Sequence, residues 1–148
     1  MTTELKIMKN KFLSYELSLI AKKKGFDDEC LGYHEYNNYN KQLLFILLDN
    51  TIKLTEEQKK RPTLFDLTIK NSRLPIWCVA APLLLDIKQW IFEQKNIYIE
   101  VVQRKNKNNK LTYICLLKRS GRTFIEKVNF RTEKSALNFG IKKALRRT

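Results

Sequence analysis

A nucleophilic or metal-dependent site would have to be assembled from few residues in this chain. His34 is the one histidine, and Cys30 lies four residues before it. On a strand an offset of four puts both side chains on one face. A structural zinc site needs four such ligands, and Cys78 and Cys115 lie far away in sequence. His34 therefore reads as a partly exposed strand histidine. Asp27, Asp28 and Glu29 form a carboxylate run, but a metal-dependent phosphotransfer site draws its carboxylates from separate elements. Three in a row after Gly25 read as a solvated turn. The glycines are Gly25, Gly32, Gly121 and Gly140, and none of the glycine-framed phosphate or nucleophile motifs can be spelled from them. The expectation is a non-enzymatic protein with no catalytic residues, no metal site and no cofactor.

Charge is the stronger signal. The 148 residues hold 29 Lys and Arg against 15 Asp and Glu, a net +14. Residues 96–148 hold 14 basic and 3 acidic side chains, a net +11, which leaves +3 for residues 1–95. Such a surface attracts polyanions, nucleic acid first among them. A composition rich in Lys and Asn also follows from an A/T-rich genome, so charge alone does not make a site. The residues expected to bind nucleic acid are Arg104, Lys105, Lys107 and Lys110 in a hairpin loop and Arg122 after the following turn. Phe139, Lys142, Lys143, Arg146 and Arg147 on the last helix complete the set. Cations of this kind neutralise phosphates, and an aromatic such as Phe139 can stack a base. The alternative partner is another protein, met through aromatics outside the core pattern: Tyr36, Tyr39, Trp77 and Phe139.

These side chains need elements to carry them. Ser14 can cap a helix whose apolar side is Leu17, Ile20 and Ala21. Gly25 ends it, with Phe26 folding back. Leu31 to Tyr36 and Gln42 to Leu48 read as two strands around the turn cluster 37–40. Residues 49–75 form a less regular insert in which Thr55 to Lys60 can make a short helix and Leu64 to Ile69 can be extended. Pro82 suits a first helical position, ahead of a stripe of Leu83, Leu84, Ile87, Trp90 and Ile91. Trp90 reads as core. Leu85 and Phe92 widen the stripe, which predicts a helix covered on more than one side. Ile97 to Val102, Leu111 to Leu117 and Arg122 to Phe130 alternate with period two and predict three strands, with 104–110 as a hairpin loop. Phe124, Val128 and Phe130 are placed on one face of the third strand. Thr132 can cap the last helix, with Ala136, Leu137, Ile141, Ala144 and Leu145 facing the core. The expected fold is a single α+β domain over residues 1–148. Its order is α-β-β-(insert)-α-β-β-β-α, an antiparallel sheet with helices on one face.

No run reaches the length of a membrane span, and the N-terminal residues have no apolar signal core. Three widely spaced cysteines suit a reducing compartment. The expectation is a cytoplasmic protein with no membrane partner.

Three stretches carry a resemblance. They are Phe12-Leu13-Ser14-Tyr15-Glu16-Leu17 through Lys24-Gly25-Phe26-Asp27-Asp28-Glu29-Cys30-Leu31-Gly32-Tyr33, then Ala81-Pro82 with the Trp90 helix and Lys95 to Glu100, and last Thr132 to Leu145. Together they resemble a family of small uncharacterised α+β proteins of bacterial, phage and mobile-element genomes. The resemblance omits 49–75, which is longer than the family pattern, and typical members are less basic. It implies a single α+β domain in a bacterial host cell and carries no activity. From Pro82 onward the order α-β-β-β-α is also similar to double-stranded RNA-binding domains, which read duplex shape through a helix, a strand–strand loop and lysines opening the last helix. Here the loop 104–110 is basic, but of that lysine cluster only Lys134 is present.

Overall fold

The computed structural model describes residues 10–36, 41–45 and 69–147. The expected elements at 55–60 and 64–68 lie outside these residues, as do the turn 37–40 and the end of the second strand. The chain divides into two compact units, Met1–Leu84 and Leu85–Thr148. The architecture is α+β. Its elements are α1 (Tyr15–Lys23), β1 (Gly32–Tyr36), β2 (Lys41–Phe45), a 3-10 turn (Asn71–Arg73) and β3 (Cys78–Ala81), then α2 (Leu84–Lys95), β4 (Tyr98–Lys105), β5 (Leu111–Arg119), β6 (Arg122–Phe130) and α3 (Glu133–Arg146). The helix and strand order is the expected one with β3 added. Where one sheet is expected, the described residues form two antiparallel three-stranded sheets, β2-β1-β3 and β4-β5-β6. The sequence carries no strand expectation for Cys78–Ala81. All four of its residues are buried, so no alternation marks it as a strand.

The first unit is built around α1 and the β2-β1-β3 sheet. Ser14 caps α1 by accepting from the Leu17 amide at 3.3 Å. Gly25, at φ +95°, ends it: Gly25 donates to Lys22 O and Phe26 to Ala21 O, with Phe26 buried beneath. That is the Schellman arrangement, and the left-handed φ is why glycine stands there. The described end of the insert is firmly tied. Asn71 is buried, donates from Nδ2 to Phe26 O (2.8 Å) and accepts at Oδ1 from the Ala80 amide (2.9 Å). Cys30 donates its amide to Ile69 O at 2.7 Å. Pro82 does not open α2 as expected. Leu83 instead pairs with Phe12, and the Pro82 carbonyl accepts from Leu13 at 2.8 Å, so the helix starts at Leu84.

The second unit holds β4, β5 and β6 with α3 packed on one face. Thr132 caps α3, accepting from the Ser135 amide at 3.0 Å. Ala136, Ile141, Ala144 and Leu145 are buried, as their spacing predicts. A Cβ at Gly140 would lie 2.6 Å from Ile99 Cγ2 and 2.8 Å from Cys115 Sγ, so α3 sits directly on the odd-numbered side chains of β4 and β5. Trp90 is buried on α2 as expected, but Leu85 (73% exposed) and Phe92 are not covered. The wide apolar stripe overestimates the covering of α2.

Candidate nucleic-acid interface

Residues 85–148 carry 16 basic and 5 acidic side chains, a net +11, so the second unit holds most of the excess charge. The sheet splits its cations between two places. The β4–β5 hairpin points one way along the strands and the β5–β6 turn at Ser120-Gly121 points the other. Lys105 ends β4 and Arg122 opens β6, so the two groups lie at opposite ends of the sheet.

At the hairpin end Asn106 organises the loop. Its side-chain oxygen accepts from the amides of Asn108 (2.9 Å) and Lys110 (3.0 Å), and its own amide donates to Lys110 O (2.9 Å). Asn109 takes the left-handed conformation at φ +61°, which asparagine tolerates better than most residues. These bonds hold the loop backbone that carries Lys107 and Lys110, and Lys105 ends the strand beside it. Beside it is a groove of about 740 Å³, lined by Arg104, Lys105, Lys107, Lys110 and Arg131 with no carboxylate among its lining residues. Leu111, Ile114 and Val128 supply an apolar part of the wall. Ile114 neighbours Cys115 on β5 and therefore faces the opposite side of the sheet from α3. Arg131 joins the four expected loop residues only because β6 ends beside the hairpin, and no local pattern in the sequence marks it.

The expected face of Phe124, Val128 and Phe130 does not form. The β5–β6 register shifts between Tyr113 and Cys115 and again between Leu117 and Lys118, and Asn129 has φ +68°. Each shift inserts a residue and resets the alternation. Val128 thereby lines the groove, half exposed, while Phe130 turns toward α3.

At the seam between β6 and α3 four cations sit on rings. Phe139 packs against Phe130 with centroids 5.3 Å apart, and the ammonium groups of Lys127 and Lys143 lie 4.7 and 5.7 Å from its ring centre. Further along, the guanidiniums of Arg147 and Arg119 lie 4.9 and 5.6 Å from the ring of Phe124. Arg122 pairs across the strands with Arg119 at this end. Lys142 and Arg146 are exposed on α3. Glu100 offsets one cation by pairing with Lys118. Of the ten expected binding residues, the structure thus gathers Arg104, Lys105, Lys107 and Lys110 at the groove. It places Arg122, Phe139, Lys142, Lys143, Arg146 and Arg147 on α3 and toward the far end of the sheet.

The other candidate chemistry is structural. His34 is buried rather than partly exposed, because the N-terminal segment covers it: Nε2–H donates to Leu13 O at 2.7 Å and Tyr15 packs edge-on to its ring. Burial holds its pKa below the usual 6.5, against the opposing pull of the Leu13 carbonyl and the Glu16 carboxylate. Cys30 is buried and donates to Asp28 O at 3.4 Å. Burial raises the Cys78 and Cys115 thiols to about 11, so both stay protonated at neutral pH. Asp27, exposed as expected, accepts the Ser72 amide, which lowers its pKa. Among the described residues no group of three His, Cys, Asp or Glu side chains could hold a metal, and no helix is long and apolar enough to cross a membrane.

No family model, no curated protein and no solved structure matches the chain.

Proposed function

We propose that this is a non-enzymatic accessory protein that binds nucleic acid through the unit Leu85–Thr148. The observation that carries the reading is the convergence of Arg104, Lys105, Lys107, Lys110 and Arg131 on one carboxylate-free groove, within a unit of net +11. Cations placed together release the counterions of several phosphates at once, which is the main source of affinity for a polyanion. The resemblance to small phage and mobile-element proteins supports an accessory role in a bacterial cell.

The test is titration of the full chain with labelled oligonucleotides across a salt series. Binding is expected at low salt, with log K falling linearly as log salt rises. Charge reversal at Lys105 and Lys107 should weaken it about tenfold or more and flatten the slope by about one per lysine. Reversal at Lys142 and Arg146, outside the groove, should cost less. A chain that binds no nucleic acid at low salt would refute the proposal.

A second reading has its own observation. In the unit Met1–Leu84, Ile76 (89% exposed) and Trp77 (58%) lie beside the exposed Tyr36, whose amide donates to Trp77 O. Exposed apolar groups in a cluster favour a protein partner. A stoichiometric complex that Trp77→Ser abolishes, with Lys107→Glu neutral, would favour that reading.

A further inference from the structure

The aromatic expected to stack a base is already engaged. Phe139 packs on Phe130, and the ammonium groups of Lys127 and Lys143 lie over its ring and compete with a base for it. Phe124 is engaged in the same way by Arg119 and Arg147. Both rings are partly buried and already hold cations, so the seam suits phosphate better than a stacked base.

The groove at the hairpin end has both properties a nucleotide needs. Its five cations come from the end of β4, the loop, and the residue after β6. Its wall contains Leu111 and Val128, both about half exposed, with buried Ile114 between the strands. A volume of about 740 Å³ falls within the range of small-molecule sites, of order 300–1,000 Å³. Apolar surface beside fixed cations suits an unpaired nucleotide, with the base flat against aliphatic side chains and its phosphates on the rim. A duplex keeps its bases stacked inside and would leave that wall unused. The last helix also opens on Glu133-Lys134 without a lysine cluster, so phosphates of a duplex would find little there.

Resting on the nucleic-acid reading above, we propose that the groove between the β4–β5 hairpin and the end of β6 takes an unpaired nucleotide, making this a single-strand binder. The five cations in its lining make it first a reader of the phosphate backbone.

The experiment compares a single-stranded oligonucleotide, the duplex of the same sequence and inorganic polyphosphate on the full chain. The variants are Leu111→Ser with Val128→Ser, both at exposed positions, and Lys107→Glu with Lys110→Glu. The single strand should bind at least about fivefold tighter than the duplex. The serine pair should remove that preference, weaken the single strand about tenfold, and leave duplex and polyphosphate unchanged. The glutamate pair should weaken all three. Circular dichroism of each variant keeps a folding defect from passing as a binding defect. Tighter duplex binding, or single-strand affinity indifferent to the serine pair, overturns the groove assignment while the nucleic-acid reading stands. Binding of polyphosphate alone, with neither oligonucleotide bound, overturns both.

Discussion

At the scale of single residues, two buried polar groups hold the first unit together. Asn71 satisfies a carbonyl and an amide more than forty residues of chain apart from one another, Phe26 O and Ala80 N. Asn71→Ala leaves both without that partner, and each buried polar group left unpaired costs about 1–3 kcal/mol. The unit should lose about 2 kcal/mol or more, read in urea denaturation as a lower midpoint. His34 sets a pH dependence. Its folded pKa lies below 6.5, so the unfolded chain binds the proton more readily. Its contribution is fully present above pH 6.5 and is lost as pH falls through the lower, folded value. Stability should therefore decline on acidification from about pH 6.5 downward. His34→Gln, which can still donate to Leu13 O, should flatten that part of the profile. An unchanged slope in the variant would show that another group sets it.

At the scale of elements, the contact of α3 with the sheet is the tightest joint. Gly140 lies where a methyl group would meet Ile99 and Cys115. Alanine gains up to about 1 kcal/mol of helix propensity over glycine, but overpacking a close contact costs about 1–3 kcal/mol. Gly140→Ala should lower the melting temperature of the protein, and a rise would mean that the sheet yields to the added methyl. The caps on Ser14 and Thr132, the stop at Gly25, and β6 from Arg122 to Phe130 were legible in the sequence, because each depends on neighbours within a few residues. Strand β3 was not, because full burial removes the polar–apolar alternation that reveals a strand. The start of α2 was misplaced at Pro82, since the bridge from Leu83 to Phe12 is invisible in local sequence. The insert is expected only to be less regular, yet Ile69 and Asn71 at its end are hydrogen-bonded into the first unit.

At the scale of the whole molecule, charge is unevenly shared. A unit with net +11 repels itself, and added sodium chloride screens that repulsion. Thermal stability should therefore rise with salt up to a few hundred millimolar, while affinity for nucleic acid falls over the same range. Melting curves and titrations at matched salt concentrations test both trends. Stability that falls with salt would show that attractive pairs such as Lys118–Glu100 outweigh the repulsion.

The sequence by itself determined what is local or additive: the helix caps, the hairpins, the three late strands, and the crowding of cations into the final third. Only the tertiary structure decided which cations meet. Two register shifts in β6 turned Val128 to the groove and Phe130 to the helix, and the end of that strand brought Arg131 beside the loop. Such placements depend on pairing between distant segments, where one inserted residue reverses every side chain beyond it, so no window of neighbouring residues contains them.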